Sequence, residues 1–249
     1  MNSLVSIITP SYNSSKFIID CIASVFSQTY KNWEMIIVDD CSKDNSKKII
    51  KELAVKDKRI KPIFLEKNVG AAKARNVAIR QAKGKYVAFL DSDDLWNPKK
   101  LEKQLSFMCE NDIAFSYTNY QFMSENGANL SNIILAPKKM TYDSYLKNTI
   151  IGCLTVIVDR EKSGEFEMPN IRSSHDMALW LLIMKRGFSA YGLDDNLARY
   201  RIVTTSNTAS KWHAAKDVWK VYRQVEKLSF TYSAWCFFWY AFNALKKRI

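Results

Sequence analysis

The sequence predicts an α/β fold in which a mostly parallel sheet is flanked by helices and followed by a helical appendage. Short apolar, β-branched runs alternate with helix-period segments through residues 1–120, a pattern typical of a parallel sheet covered on both faces. Polar and acidic motifs follow several of the predicted strands. After residue 207 the composition becomes first basic and then aromatic, which indicates the appendage.

Strands and helices are predicted in alternation along the first half of the chain. Apolar residues at three- and four-residue spacing from Phe17 to Phe26 predict a helix that follows a cap at Ser14 and Ser15. Pro98 suits the first turn of a later helix. The predicted strands are 5–9, 35–39, 60–65, 86–90 and 113–117, and the predicted helices are 17–26, 43–56, 70–82 and 98–111.

The pattern weakens after Gln121, where Asn126 and Gly127 predict a hairpin. Further on, we expect a strand over 153–158, an apolar helix over 176–186 that ends at Gly187, and a strand over 197–202. The predicted organisation is one domain over 1–207, made of two halves, 1–120 and 121–207. The tail, 208–249, forms the rest of the chain.

Charge and cysteine content narrow the class of protein. The 249 residues are 47% apolar and carry a formal charge of +12, which suits an anionic partner. The five cysteines are scattered, with neither metal-site nor disulfide-framework spacing, and this favours a reducing compartment. The apolar start of the chain lacks a basic region before it and is predicted to be a strand rather than a secretory signal.

An acidic run follows the strand predicted over 86–90. Asp91 and Asp93 project toward the same side of an extended backbone, and Asp94 follows at once. Neighbouring carboxylates repel one another unless a cation or hydrogen-bond donors satisfy them, and Mg²⁺ or Mn²⁺ would do so. The alternative is that Ser92 to Asp94 only caps the next helix.

Three further motifs are predicted at the same edge of the sheet. Thr9 to Asn13 follows the first strand, Asp39 and Asp40 end the second, and Asn68 to Asn76 opens a helix that carries Arg75. Arginine is a frequent phosphate ligand, and carboxylates accept hydrogen bonds from a base or a ribose. Turns and helix caps use the same residue types, so each motif alone is ambiguous.

Taken together, the motifs ITPSYN, IVDDCS, NVGAAKARN and FLDSDD resemble the inverting family 2 glycosyltransferases with a GT-A fold, of the bacterial surface-polysaccharide type. The resemblance is strong over residues 1–120 and looser to Ile202. It implies a Rossmann-like sheet, a UDP-sugar donor and a Mn²⁺ or Mg²⁺ cofactor. It also implies that residues 1–120 are the nucleotide-binding half of the domain and residues 121–207 the acceptor-binding half.

The resemblance also implies a role for each matching residue. Asp93 would bind the metal with Asp91 beside it, and Arg75 would face the diphosphate. Asp39 and Asp91 would lie near the base or ribose. The substrate-binding residues implied are Thr9, Pro10, Tyr12, Asp39, Asp40, Arg75, Asp91, Ser92, His175 and Trp180.

An inverting transfer needs a base that deprotonates the acceptor hydroxyl. The related enzymes place it at the start of a helix rich in Trp and Leu, which the segment from Ser174 to Trp180 resembles, with His175 in place of the usual acid. Asp176 is therefore the candidate base. On residue pattern alone Ser174 or Asp176 would simply cap the helix, and the pair Asp194 and Asp195 is the fallback.

The tail divides into a basic amphipathic helix over 211–227 and an uncharged, aromatic stretch over 228–245. The aromatic content favours an in-plane anchor on an anionic membrane over a spanning helix. The alternatives are packing against the enzyme and a homo-oligomer interface.

The leading hypothesis is transfer of a hexose or N-acetylhexosamine from a UDP-sugar to a glycan acceptor, polyprenyl-linked, at the inner face of the cell membrane. A nucleotidyltransferase is the second, although residues 9–15 lack the glycine that such enzymes usually carry. A non-catalytic protein that binds a nucleotide sugar is the third. Nucleic-acid binding is not favoured, because the Lys and Arg residues are dispersed.

Overall fold

The computed structural model describes residues 2–130, 133–171, 173–203 and 211–246. Strands and helices alternate through the first half, as predicted. The strands are β1 (Val5–Ser11), β2 (Trp33–Asp39), β3 (Ile60–Phe64), β4 (Tyr86–Phe89), β5 (Leu95–Trp96), β6 (Phe115–Met123), β7 (Lys139–Met140), β8 (Ile157–Asp159) and β9 (Ala190–Arg201). The α-helices are α1 (Ile18–Phe26), α2 (Ser46–Lys56), α3 (Ala71–Gln81), α4 (Lys100–Glu110), α5 (Tyr142–Lys147), α6 (Arg160–Ser163), α7 (His175–Lys185), α8 (Lys211–Lys220) and α9 (Phe230–Lys246).

The first half of the sheet is parallel, in the order β3-β2-β1-β4. All seven residues of β2, and all but one of β1, are buried, which is why these strands are continuous apolar runs. Because β1 lies between β2 and β4, the carboxyl ends of these three strands meet at one edge. The motifs that follow each strand therefore lie side by side.

The second half of the sheet is mixed. β8 pairs antiparallel with both β4 and β6, while β6 pairs parallel with β9. The β6–β9 register shifts around Asn119, and short β5 and β7 lie antiparallel to β9. Strand β9 thus runs to the edge where β4 ends, and its last residue, Arg201, reaches the acidic run.

The two faces of the sheet carry separate hydrophobic cores. Successive strand residues point to opposite faces, so Ile8 belongs to the core beneath α3 and α7, and Ile7 to the core beneath α1 and α4. Trp180 of α7 is fully buried between Phe89 and Phe115, with ring centroids 5.2 and 5.3 Å away. This packing fixes α7 against the end of β4.

Several predicted boundaries are wrong for local reasons. Helix α1 has Phe17 at its N-cap, without a side-chain cap, because the Ser14 hydroxyl is hydrogen bonded to that of Ser11 at 2.7 Å. Helix α4 begins at Lys100, so Pro98 lies before it. Residues 153–155 form a 3-10 turn, and only 157–159 form the strand predicted there.

Other local predictions are confirmed. Gly187 ends α7 with a φ of 97° and donates its N–H to the Met184 carbonyl at 3.0 Å. A hairpin follows β6, where Met123 bridges to Asn129 in antiparallel fashion.

Strand β9 is longer than the strand predicted over 197–202, because its pairing with β6 begins at Tyr191.

The tail helices pack on the second half of the sheet domain. A π-helical turn, Val221–Val225, follows α8, and its Tyr222 is buried in the same core as α7. On α9, the Tyr232 hydroxyl donates to Asp143 at 2.8 Å, and Cys236 is fully buried. The boundary predicted at residue 207 lies outside the described residues. None of the described helices is both long and apolar enough to cross a membrane.

Candidate active site

The acidic run forms a tight turn at the end of β4. The Asp94 N–H donates to the Asp91 carbonyl at 3.1 Å, and the Cys21 thiol donates to that carbonyl from α1 at 3.4 Å. Asp94 is buried, and its Oδ1 accepts the backbone N–H of Arg201 at 2.8 Å. The alternative that Asp94 caps α4 is therefore wrong, since it holds the end of β9 instead.

The turn brings three carboxyl groups, those of Asp91, Asp93 and Asp94, close together. Burial, and then the Asp91 charge, raise the pKa of Asp93 from its ordinary value of 3.8 to about 6. Burial, and then the Asp93 charge, raise the pKa of Asp94 well above its ordinary value. Within the described chain, Asp94 Oδ2 is buried and has no hydrogen-bond partner. The turn thus holds carboxylates whose repulsion is only partly relieved by hydrogen bonds.

Arg75 of α3 is the cation that faces Asp91. Its Nη2 forms an ion pair with Asp91 Oδ1, and its Nη1 lies 2.6 Å from His175 Nε2. Burial is the largest single influence and lowers the pKa of Arg75, but the charge and hydrogen bond of Asp91, with smaller contributions from Cys153 and Asp176, together shift it upward. Arginine stays charged and only donates, so His175 Nε2 must accept and its proton lies on Nδ1.

His175 is held as a neutral ring. Burial, and then the positive charge of Arg75, lower the pKa of His175 from its ordinary value of 6.5. The residue that replaces the usual acid of the family therefore binds Arg75 through its Nε2 atom. The two Nη atoms of Arg75 contact Asp91 and His175, while its Nε has no hydrogen-bond partner among the described residues. A diphosphate could therefore bind Arg75 through Nε, or share the Nη atoms with these two residues.

The motif after β1 forms the open rim of the site. Tyr12 is 49% exposed, so its ring is accessible for stacking. Asn13 adopts a left-handed φ of 49°, and its Oδ1 accepts the Lys43 N–H at 2.9 Å. Thr9 is fully buried, and its hydroxyl has no partner among the described residues. Pro10 is half-buried at the end of the strand.

Asp39 and Asp40 lie at the end of β2 as predicted, and both are buried. Asp40 accepts the Val69 N–H at 2.7 Å through Oδ1 and the Gly70 N–H at 2.8 Å through Oδ2. Asp39 Oδ1 accepts the Ser42 N–H at 3.0 Å, while its Oδ2 has no partner in the part of the chain that the structure describes. Asp40 thus fixes the loop before α3.

Asp176 lies in the first turn of α7, half-buried, and its Oδ1 accepts the Met177 N–H at 2.9 Å. Ser174 is the N-cap residue of α7 and has a left-handed φ of 55°, but its side chain makes no capping hydrogen bond. The backbone N–H in the first turn is accepted by Asp176 instead, as the capping alternative allowed. The charge of Asp176 acts on both Arg75 and His175. The candidate base is therefore next to the cluster at the end of β4.

Trp180 and the fallback pair Asp194 and Asp195 make contacts away from the acidic turn. Trp180 is fully buried in the core, so it supports α7 and does not line the site. The fallback bases are engaged elsewhere: Asp194 accepts the Asn119 amide at 2.8 Å, and Asp195 pairs with Lys103 at 2.7 Å. Ser92 is buried within the acidic turn.

Sequence reasoning missed Arg201, which is 4% exposed at the end of β9. Its Nε donates to the Asp93 carbonyl at 2.7 Å, and its Nη1 donates to the Glu125 carbonyl at 2.6 Å. The available signal was weak: a basic residue ends a strand that the pattern had already predicted.

The carboxylates of the acidic turn could hold a divalent ion only if a bound ligand and water supplied further oxygen atoms. Among the described residues, no group of three or more His, Cys, Asp or Glu side chains could hold a metal. Mg²⁺ is usually bound by one or two carboxylates and completed by phosphate oxygens and water. Asp91 and Asp93 are two carboxylates in one turn, and Asp91 also forms the ion pair with Arg75. Burial, and then the Asp91 charge, raise the pKa of Asp93.

A family model described as glycosyl transferase family 2 matches residues 6–159, which include β1 to β4, the acidic turn and β8. The chain therefore belongs to this family. The match confirms the family predicted from the four motifs.

Relatives cover nearly the whole chain. The putative teichuronic acid biosynthesis glycosyltransferase TuaG of Bacillus subtilis (strain 168) is 54% identical over 246 residues, which are 99% of this chain and 98% of TuaG. The UDP-Glc:alpha-D-GlcNAc-diphosphoundecaprenol beta-1,3-glucosyltransferase WfgD of Escherichia coli is 43% identical over 219 residues, 88% of this chain and 85% of WfgD.

Solved structures share the fold at low identity. S. aureus TarS 1-349 in complex with UDP-GlcNAc superposes with a TM-score of 0.70 at 24% identity, covering 89% of this chain and 65% of TarS 1-349. The mannosyltransferase PcManGT from Pyrobaculum calidifontis, in complex with GDP-Man and Mn²⁺, gives 0.68 at 18%, covering 90% and 64%. These likenesses confirm the predicted α/β, GT-A fold.

Proposed function

We propose that this family 2 enzyme transfers a hexose or N-acetylhexosamine from a UDP-sugar to a polyprenyl-linked glycan, with inversion, in surface-polysaccharide synthesis at the inner face of the cell membrane. The observation that carries the proposal is the convergence of the acidic turn, Arg75 and Asp176 at the carboxyl ends of β1, β2 and β4. The names of TuaG and WfgD support a polysaccharide pathway, a UDP donor and a lipid-linked acceptor.

The proposed reaction joins an acceptor hydroxyl to the anomeric carbon of the sugar. The hydroxyl oxygen attacks from the face opposite the nucleotide, Asp176 takes the hydroxyl proton, and the bond between the anomeric carbon and the diphosphate oxygen breaks. UDP leaves with that electron pair. Asp176 suits the role because its Oδ1 is held by the Met177 N–H, which fixes the carboxylate.

The leaving diphosphate needs positive charge nearby. Asp93 and Asp91 would hold Mn²⁺ or Mg²⁺, which offsets the negative charge on the departing oxygen. Arg75 supplies a second, permanent charge from the protein, and its ion pair with Asp91 keeps it at the site. Tyr12 and Asp39 lie on the neighbouring strand ends, where the nucleoside would bind.

The proposed function is tested by turnover. With Mn²⁺ and a glycan acceptor, we expect the protein to consume UDP-linked hexoses or N-acetylhexosamines and to release UDP. Release of pyrophosphate from UTP and a sugar phosphate would favour the nucleotidyltransferase instead, and binding without turnover would favour a non-catalytic protein.

We also propose that α9 contacts the membrane in its plane. Its inner face packs on the enzyme, but Trp235, Phe238, Phe242 and Leu245 are each more than half exposed. Their spacing places them on one side of the helix. We call these four residues, of which three are aromatic, the aromatic stripe. Exposed apolar patches of this kind mark interaction surfaces, and the basic residues of the tail favour anionic lipid.

Replacing the aromatic stripe should weaken membrane binding without unfolding the enzyme. We expect Trp235→Ser with Phe238→Ser to lower binding to anionic vesicles by at least about tenfold, because the exposed part of both side chains would be buried in lipid. Vesicle sedimentation measures this. Val55→Ser on α2, which is 85% exposed, is the matched control.

Vesicle binding that is equal in the two variants would contradict the proposal. A fall in oligomeric size in the stripe variant, with no vesicle binding by the wild type, would assign the stripe to a homo-oligomer interface. Deleting α9 is a poorer test, because Cys236 and the Tyr232–Asp143 bond lie on its packed face.

A further inference from the structure

Arg201 makes contacts with two segments that are far apart in the sequence. Its Nε donates to the carbonyl of Asp93 in the acidic turn, at 2.7 Å. Its Nη1 donates to the carbonyl of Glu125, in the hairpin after β6, at 2.6 Å. Its Cζ lies 4.8 Å from the centre of the Phe17 ring. The side chain is thus held on every side in a buried position.

These contacts depend on the shape of the guanidinium group. Arginine offers several N–H donors in a rigid plane, whereas lysine offers a single ammonium. Here different nitrogens serve carbonyls on different segments, so the side chain ties the acidic turn to the hairpin. The Arg201 charge also acts against the burial and the mutual repulsion that raise the pKa values of Asp93 and Asp94.

We infer that Arg201 is a positioning residue for the donor site. It fixes the acidic turn so that the Asp93 carboxylate faces the bound diphosphate, and it couples that turn to the hairpin of the acceptor-binding half. The step to the diphosphate rests on the proposed function. The claim about the turn itself rests only on the contacts of Arg201.

A matched control lies two residues earlier in the same strand. Arg199 also contacts the hairpin, donating from Nη2 to the Gly127 carbonyl and to Asn129 Oδ1. No contact joins Arg199 to Asp93 or Asp94 in the described chain. Arg199→Gln therefore removes a charge and hairpin contacts from β9 without touching the acidic turn.

The experiment compares Arg201→Gln with Arg199→Gln by amide hydrogen exchange and by UDP binding with and without Mn²⁺. Substitution at 201 keeps the backbone N–H bond to Asp94 Oδ1, so the end of β9 should stay paired. We expect Arg201→Gln to raise exchange at residues 91–94 by at least about tenfold, because it loses two hydrogen bonds from a charged donor.

Under the same conditions Arg199→Gln should raise exchange only in the hairpin. Arg201→Gln should also lose the Mn²⁺-dependent part of UDP affinity, with Mn²⁺-independent affinity unchanged. Arg201→Lys retains the charge without the fork and should recover only part of both effects. It also serves as the test if the glutamine variant fails to fold.

Equal exchange at residues 91–94 in the two glutamine variants would overturn the inference. So would full recovery in Arg201→Lys, because charge alone would then suffice. If the wild type bound no UDP, the proposed function would fail, and the exchange comparison would still decide whether Arg201 positions the turn.

Discussion

Asp176→Asn is expected to lower kcat for sugar transfer by about 10²- to 10⁴-fold, the range typical of a lost general base. Asparagine has nearly the same shape and can still accept the Met177 N–H through its side-chain oxygen, so α7 should be retained. Because Asp176 acts on the acceptor, UDP affinity should change by no more than about twofold. Steady-state kinetics with a saturating donor, together with calorimetric UDP binding, measure both quantities.

Asp195→Asn is the control for this variant, since Asp195 belongs to the fallback pair and is engaged by Lys103. It should retain wild-type transfer. Near-wild-type transfer by a folded Asp176→Asn protein, or a large loss in the Asp195 variant, would move the base to the fallback pair.

Asp93→Asn is expected to weaken Mn²⁺-dependent UDP binding and, at the same time, to stabilise the metal-free protein at pH 7. The pKa of Asp93 is about 6 in the folded protein, against an ordinary 3.8. The folded state therefore binds the proton more tightly, and stability falls as pH rises through this window. Above pH 6 the variant is spared this loss, of the order of 3 kcal/mol.

Thermal unfolding with a chelator, at pH values from 4 to 7, measures the effect. The advantage of Asp93→Asn over the wild type should grow between pH 4 and 6 and then level off. Asp20→Asn is the control, because Asp20 lies near Arg201 but is largely exposed. A pH-independent difference would contradict the raised pKa of Asp93 in the folded protein, and UDP binding that still responds to Mn²⁺ would contradict its metal role.

The sequence was sufficient wherever the determining interactions are local. Buried parallel strands need continuous apolar runs, so β1, β2 and β4 could be located. Polar residues that follow such strands must gather at one edge, which predicted the proximity of Arg75, Asp91 and the motif after β1. Arg75 and Asp91 do form an ion pair.

Contacts between distant segments could not be predicted. The Arg201 side chain meets Asp93 across 108 positions, and His175 meets Arg75 across 100, so no local pattern marks either contact. Trp180 was a predicted site residue because the segment from Ser174 to Trp180 resembles the family helix that carries the base. Packing against Phe89 and Phe115 decided its burial instead.

Donor use tests the central claim most directly: that this edge of the sheet binds the diphosphate of a UDP-sugar through the acidic turn. The measurement is turnover and binding of UDP-, GDP- and dTDP-linked sugars, with Mn²⁺ and with a chelator. We expect UDP-linked sugars to bind and react only when Mn²⁺ is present. We expect the Asp93→Asn protein to lose both turnover and the increase in UDP affinity that Mn²⁺ causes. Turnover that is unaffected by the chelator and by Asp93→Asn would contradict the account.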